Sequence, residues 1–216
     1  MESESQLPVL SATEQRVLGT LMEKSKITPD YYPMTLNGLT AACNQKTSRF
    51  PVTDYSEEEV MQALNSLKGQ SLVATAVGGG SRVMKFKHNF LTVFPMSDAE
   101  MAVICLLLIR GAQTPGELNT NANRLHEFVS LEGVLDTVQK LRFSNPPFIK
   151  ELEKRPGQKE ARYIHLLGSY TAREEVATER EVRSTGGLEQ RVVQLESELA
   201  EVKEQLAQIR RELFGN

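Results

Sequence analysis

Apolar residues recur at helical spacing in two separate stretches of this chain, and each stretch ends in a change to strand-like spacing. In the first, the pattern predicts a helix over 13–24 with Val17, Leu18, Leu21 and Met22 on one face. A short helix follows over 35–45, with Leu36, Leu39 and Cys43 inward. A third runs from 56 to 69, burying Val60, Ala63, Leu64 and Leu67 at i, i+3, i+4 and i+7. The period then changes. Residues 72–77 and 83–88 hold β-branched or alternating residues around Gly78-Gly79-Gly80-Ser81, which predicts a β-hairpin with a glycine tip. The second stretch predicts a helix over 97–110 that is apolar nearly all round, and therefore buried. A short helix over 114–121 and a third over 130–143 follow, the last with Leu131, Val134, Leu135, Val138 and Leu141 inward. Strands over 148–152 and 161–166 flank Pro156-Gly157.

Four Ser/Thr-x-x-Glu sequences fall at the predicted helix starts: Ser11–Glu14, Ser56–Glu59, Ser97–Glu100 and Thr114–Glu117. In such a capping box the hydroxyl accepts a backbone N–H, and the glutamate reaches back to the cap's own N–H. Pro115 stands at a first helical position, where its missing N–H costs nothing. The boxes opening the two stretches, Ser11 and Ser97, lie 86 residues apart. Three helices followed by a hairpin, twice over, predict a mainly α protein with small β-hairpins (α+β): two tandem winged-helix domains.

The end of the chain reads differently. A charged helix over 169–183 is broken at Ser184-Thr185-Gly186-Gly187. Leu188, Val192, Leu195, Leu199, Val202, Leu206, Ile209 and Leu213 then follow at alternating steps of four and three. This is a heptad pattern, and it predicts a parallel coiled-coil homodimer with Arg191–Glu196 and Glu198–Lys203 as attractive flanking pairs. The resulting division is a disordered 1–10, winged-helix domains at 11–94 and 95–168, a linker helix and glycine break at 169–187, and a coiled coil at 188–214.

Charge alters this picture only locally. Across 216 residues, 25 Lys and Arg stand against 28 Asp and Glu, so the chain is not broadly basic. Residues 1–95 and 96–168 each hold 9 basic and 9 acidic side chains, so the whole excess of −3 lies in the tail. No apolar run approaches a membrane span, and the N-terminus lacks the basic and apolar regions of a secretion signal. Cys43 and Cys105 show no metal-ligand or disulfide spacing, and the expectation is a cytoplasmic protein with reduced thiols.

Several stretches resemble the YceH-like family of bacterial proteins. They are Tyr32-Pro33, Asn37-Gly38, the run Ala41-Ala42-Cys43-Asn44-Gln45-Lys46-Thr47 and Pro51-Val52 in the first repeat. In the second they are the run from Leu106 to Leu118 and that from Pro156 to Leu166. The similarity spans about residues 11–168, and the tail has a counterpart. The resemblance implies the tandem winged-helix fold and supplies no active-site residues.

The candidate chemistry is sparse. His88, His126 and His165 do not pair at ligand spacing, and no nucleophile elbow or phosphate loop occurs. No enzyme activity, metal or cofactor is expected. In a winged helix the third helix enters the major groove, yet here its outward face carries Glu58, Gln62 and Asn65 in the first repeat. In the second that face carries Glu132, Asp136 and Lys140. Carboxylates there oppose phosphates, whose neutralisation supplies most duplex affinity. The basic candidates for nucleic acid are Lys46 and Arg49 in the loop before the third helix, and Arg82, Lys85 and Lys87 on the wing. Asn44 and Gln45 could read adenine or merely cap a helix. The aromatic and proline residues of 31–34 and 143–148 suit either an interface or a plug beneath each repeat's loop. The fold favours a DNA-binding or transcription-related protein. The charges favour the alternative, a protein-interaction adaptor.

Overall fold

The computed structural model describes residues 7–76, 83–154 and 158–168. The chain divides into two compact units, 1–170 and 171–216. The heptad residues Leu188 to Leu213, the linker 169–187 and the glycine tip with Arg82 lie outside the described residues.

The described residues are mainly helical, with two small antiparallel sheets. The first half runs α1 (Ala12–Ile27), β1 (Met34–Thr35), α2 (Leu36–Cys43), α3 (Glu57–Gly69), β2 (Val73–Ala76) and β3 (Lys85–His88). After a one-turn helix α4 (Phe90–Val93), the second half runs α5 (Asp98–Arg110), α6 (Pro115–Ala122), α7 (Leu131–Phe143), β4 (Ile149–Glu151) and β5 (Tyr163–His165). All four predicted capping boxes form, at the starts of α1, α3, α5 and α6. Each supplies acceptors for two of the N–H donors that a helix start otherwise leaves unpaired.

A strand absent from the sequence reading completes the first sheet, whose order is β1-β3-β2. Met34 pairs with Phe86 in it. The second half keeps the same connection in reduced form, as an isolated bridge from Gln113 to Tyr163. Met34 and Gln113 each lie one residue before the cap of the short helix, Thr35 and Thr114. Phe86 and Tyr163 each lie two residues before a strand-ending histidine. Those histidines match as well: His88 pairs with Val73, and His165 with Ile149. The two halves are therefore structural repeats down to the register of their hairpins.

The repeats share one core. α5 is buried from Met101 through Ile109 because α1, α6 and α7 all pack on it. α1 in turn lies between α3 and α5, which explains why Glu14, Arg16, Thr20 and Glu23 are buried beside its predicted apolar stripe. Phe90 and Phe94 meet Phe148 edge-on, at 6.5 and 5.3 Å between centroids, so the linker turn seals the second hairpin. Leu10, at the end of the stretch expected to be disordered, is buried and donates its N–H to Leu167 O. One part of the predicted core differs. The stripe predicts Leu131 and Leu135 inward on α7, but they are 41% and 36% exposed, and the core takes only Val134, Val138 and Leu141 from it.

α1 and α5 cross where Cys105 Sγ lies 3.4 Å from Gly19 O. These two residues are also 86 apart, so the helices cross at equivalent points of the two repeats. A Cβ on Gly19 would stand 2.6 Å from Ile109 Cγ2 and 2.9 Å from Leu108 Cβ. Ile109 could rotate, but Leu108 Cβ moves only with its backbone. Helix propensity favours alanine by about 1 kcal/mol, whereas overpacking costs about 1–3 kcal/mol, so the clash wins. Gly19→Ala is expected to lose about 1–2 kcal/mol in urea unfolding, and Gly19→Val about 3 kcal/mol or more. Gly69 has open space around it, and Gly69→Ala should be neutral or stabilising. A Gly19→Ala protein more stable than the wild type would overturn this account of the crossing.

Candidate functional site

Of the basic residues singled out in the sequence, Arg82 lies outside the described residues and the other four have different surroundings. Lys85 and Lys87 lie on one face of β3, opposite small partners: Thr35 and Ala76 flank Lys85, and Ala74 faces Lys87. Phe86 between them points into the core. Lys87 is exposed, Lys85 half-buried, and neither has an ion-pair partner among the described residues. Lys46 is exposed in the loop after α2.

Arg49 does not belong with them. Its guanidinium grips Glu23 with two bonds, Nη1 to Oε1 at 3.0 Å and Nη2 to Oε2 at 2.6 Å. Nε donates to Ala42 O and Nη1 to Ser48 O. The side chain is fully buried, so as folded it cannot reach a phosphate. Arg16 shares this role: it donates to Cys43 O at 3.2 Å and Pro51 O at 2.6 Å. Together the two arginines hold the α2–α3 loop against α1, and Phe50 N–H extends the attachment to Ile109 O at the end of α5.

Asn44 is likewise spent within the fold. Its side-chain amide donates to Tyr55 O and its carbonyl accepts from Tyr55 N–H, both at 2.8 Å. Gln45 is exposed and accepts from Lys24 Nζ at 3.3 Å. In the segment 143–148, Phe148 plugs the core while Phe143 stays 74% exposed. In the segment 31–34, Tyr32 is half-buried and accepts from His88 N–H at 2.6 Å, while Tyr31 is exposed.

Burial dominates the shifts of the histidines, Tyr32 and the two thiols. Burial pushes His88 and His165 down to about 4. Their Nδ1 atoms are buried, with no hydrogen-bond partner among the described residues. Ser25 gives its hydroxyl proton to Met22 O, so the 3.1 Å contact between His88 Nε2 and Ser25 Oγ assigns the ring proton to Nε2. Burial raises Tyr32 to about 12 and Cys43 to about 11, and also raises the Cys105 thiol. An activated thiol or base is shifted the other way. No group of three metal-ligating side chains occurs among the described residues, and no helix there is long and apolar enough to cross a membrane.

The outward faces of the third helices remain. On α3, Glu58, Gln62 and Asn65 are exposed. Glu57 accepts from Asn37, Glu58 from Gln62, and Glu59 closes the capping box. Bonding to Ser56 holds the Glu59 carboxyl below its usual range. On α7, Glu132, Asp136 and Lys140 are exposed, as expected, and Leu131, Leu135 and Phe143 join them. Nothing in the sequence marks Leu131 and Leu135 as outward, because they continue the helical stripe of Val134, Val138 and Leu141.

Residues 10–158 match the family described as "Protein of unknown function, DUF480". The chain is 47% identical over 167 residues to a UPF0502 protein of Shewanella sp. (strain W3-18-1), covering 76% of each. It is 45% identical over 172 residues to a UPF0502 protein of Shewanella baltica (strain OS155 / ATCC BAA-1091), covering 78% of this chain and 77% of the relative. With the UPF0502 protein of Shewanella halifaxensis (strain HAW-EB4) the identity is 43% over 202 residues, covering 89% and 94%. The resemblance to the YceH-like bacterial proteins agrees with these matches, and the chain belongs to the DUF480 family.

Proposed function

We propose that this chain is a non-enzymatic, tandem winged-helix adaptor that works by binding other proteins. Support for the winged helices comes from topology: a strand between the first two helices pairs with the returning strand of the hairpin, giving the order β1-β3-β2. The second repeat keeps that link as the Gln113–Tyr163 bridge. Fold alone leaves the partner open. One observation carries the choice of protein over duplex: both third helices, the groove-reading element of a winged helix, present acid outward, and α7 adds exposed leucines.

Magnitudes point the same way. With Arg49 buried, four of the five candidate cations are left to meet phosphates: Lys46, Lys85 and Lys87, together with Arg82 outside the described residues. A protein that binds duplex tightly makes about 6–10 phosphate contacts. Four contacts give a salt slope of roughly −4, shallower than a tight duplex binder shows. The second reading, DNA association through the wing, rests on Lys85 and Lys87 sharing one strand face.

The two separate in a titration of a mixed-sequence duplex against the full chain by fluorescence anisotropy. The adaptor reading expects no saturable binding near about 0.1 M salt, and only weak, non-specific association below it. Tight binding with a slope near −6 or steeper, lost in Lys85→Ala/Lys87→Ala, would replace it with the DNA reading.

A further inference from the structure

We infer that the outward face of α7 is a docking surface for an amphipathic helix of a partner protein, one whose apolar row is flanked by lysine or arginine. The inference rests on the adaptor reading above and names the chemistry of the partner.

Leu131 and Leu135 lie one turn apart on the same face of α7, and Phe143 continues the exposed side at the end of the helix. Val129, just before the cap residue Ser130, is fully exposed. The row spans about 18 Å from Leu131 to Phe143, or three turns of a helix laid along it. The core does not need these side chains, since Val134, Val138 and Leu141 fill it and leave Leu131 and Leu135 on the exposed margin of the stripe. Exposed apolar residues gathered in this way, and not scattered singly, mark contact surfaces.

The first repeat lacks the feature. Counting from the cap residues Ser56 and Ser130, the positions of Leu131 and Leu135 are held on α3 by Glu57 and by Met61, which packs against the core. The row is thus a property of α7 and not of the fold.

Charge selects the occupant. Glu132 and Asp136, each one residue on from a leucine of the row, form an exposed acidic row beside it. Arg142, on the same helix, is held by Glu151 at 2.6 Å and covers the Phe143 ring at 5.3 Å. Lys140 lies beyond Asp136, on the far edge from the leucines. A partner that buries the leucines also covers Glu132 and Asp136, and covering unpaired carboxylates is costly unless cations meet them. Duplex DNA and acidic helices are rejected by the same two residues, so the surface discriminates by repulsion as well as attraction.

The test uses the full chain and two labelled model helices: one with leucine on one face and lysine on the other, and its counterpart with glutamate replacing lysine. The Leu/Lys helix is expected to bind, with the Leu/Glu helix at least roughly ten-fold weaker. Leu131→Ser/Leu135→Ser should weaken binding by about ten-fold or more, because it removes the apolar anchors. Glu132→Gln/Asp136→Asn should weaken it several-fold and flatten its salt dependence. On the wild-type protein, amide resonances of residues 131–143 should shift and those of 57–69 should not. Equal binding of both helices, unchanged affinity in the leucine variant, or shifts confined to 57–69 would each overturn the inference. Self-association abolished by Leu131→Ser/Leu135→Ser would place a second copy here instead, and would also overturn it. Absence of helix binding together with absence of duplex binding removes this surface and leaves the adaptor reading standing. Steep-salt duplex binding removes the adaptor reading itself.

Discussion

Acidification from about pH 7 to pH 4 is expected to strip most of the stability from the folded repeats. His88 and His165 end equivalent strands, and burial holds both at about 4, against an ordinary histidine near 6.5. For His165 the cause is burial alone, and for His88 the nearby Lys26 adds to it. Nδ1 is buried and without a partner among the described residues in both rings, and in His88, whose Nε2 holds the ring proton, it is the atom that protonation would have to reach. The sign follows from proton counting. Between pH 6.5 and 4 the unfolded chain binds protons that the native state refuses, so stability rises with pH across that window and is lost as pH falls through it. At about 1.4 kcal/mol per unit the two shifts amount to roughly 3 kcal/mol each. Their sum is comparable to the entire stability of many domains, about 5–15 kcal/mol. The lowered carboxyls of Glu14 and Glu23 act in the same direction, but mainly below the ordinary carboxylate range. Urea unfolding at a series of pH values should therefore show a steep slope already between about 6.5 and 5. His88→Gln and His165→Gln should each remove close to half of that slope, whatever they do to stability at neutral pH. A stability that stays flat from pH 7 to 5 would mean that one or both rings are not held neutral.

Those histidines show how far sequence alone reaches into this fold. Their matched positions at the ends of returning strands are visible as part of the repeat, and a structural role follows from the absence of any partner at ligand spacing. Helix starts are equally legible, because a capping box is a local device: its bonds close within four residues and do not depend on the rest of the fold. The buried run of α5 and the inward stripe of α3 are legible for the same reason. What escapes is settled at a distance. β1 has two residues, in a loop dominated by tyrosine and proline, and exists only through its pairing with β3 some fifty positions on. Leu131 and Leu135 obey helical periodicity, yet the core beneath α7 is wide enough for one row and leaves them outside. Arg49 looks like any other loop cation until α1 places Glu23 beside it. A buried ion pair costs desolvation that only tertiary geometry offsets, so no local pattern announces one.

Arg49→Ala is expected to cost about 3–5 kcal/mol, because it breaks a buried ion pair from one side. The loss has three parts. Glu23, which is buried, keeps Lys24 at 3.3 Å as its one ion-pair partner among the described residues. Ala42 O loses a donor, and so does Ser48 O. The loop then weakens where Phe50 attaches to α5, so the damage spreads from the first repeat into the shared core. Surface pairs are the comparison. Lys26–Asp98, at 2.7 Å, also joins α1 to α5, but it faces solvent, and Lys26→Ala should cost at most about 1 kcal/mol. Arg49→Lys keeps the charge and loses the two-pronged grip, so its cost should fall between these values. Replacing both partners, as in Glu23→Leu/Arg49→Met, should recover most of the loss, since the penalty lies in the orphaned charge and not in the missing bond. The pH dependence supplies an independent check. In the wild type, hydrogen bonding and charge from Arg49 hold the Glu23 carboxyl below its usual range, against the opposing effect of burial. Without Arg49 burial prevails and the carboxyl rises. A group whose folded pKa is raised adds stability as pH falls, so the gap between wild type and Arg49→Ala should narrow toward pH 5. If Arg49→Ala unfolds at the same urea concentration as the wild type, the guanidinium is not buried against Glu23, and Arg49 returns to the set of surface cations able to meet a phosphate.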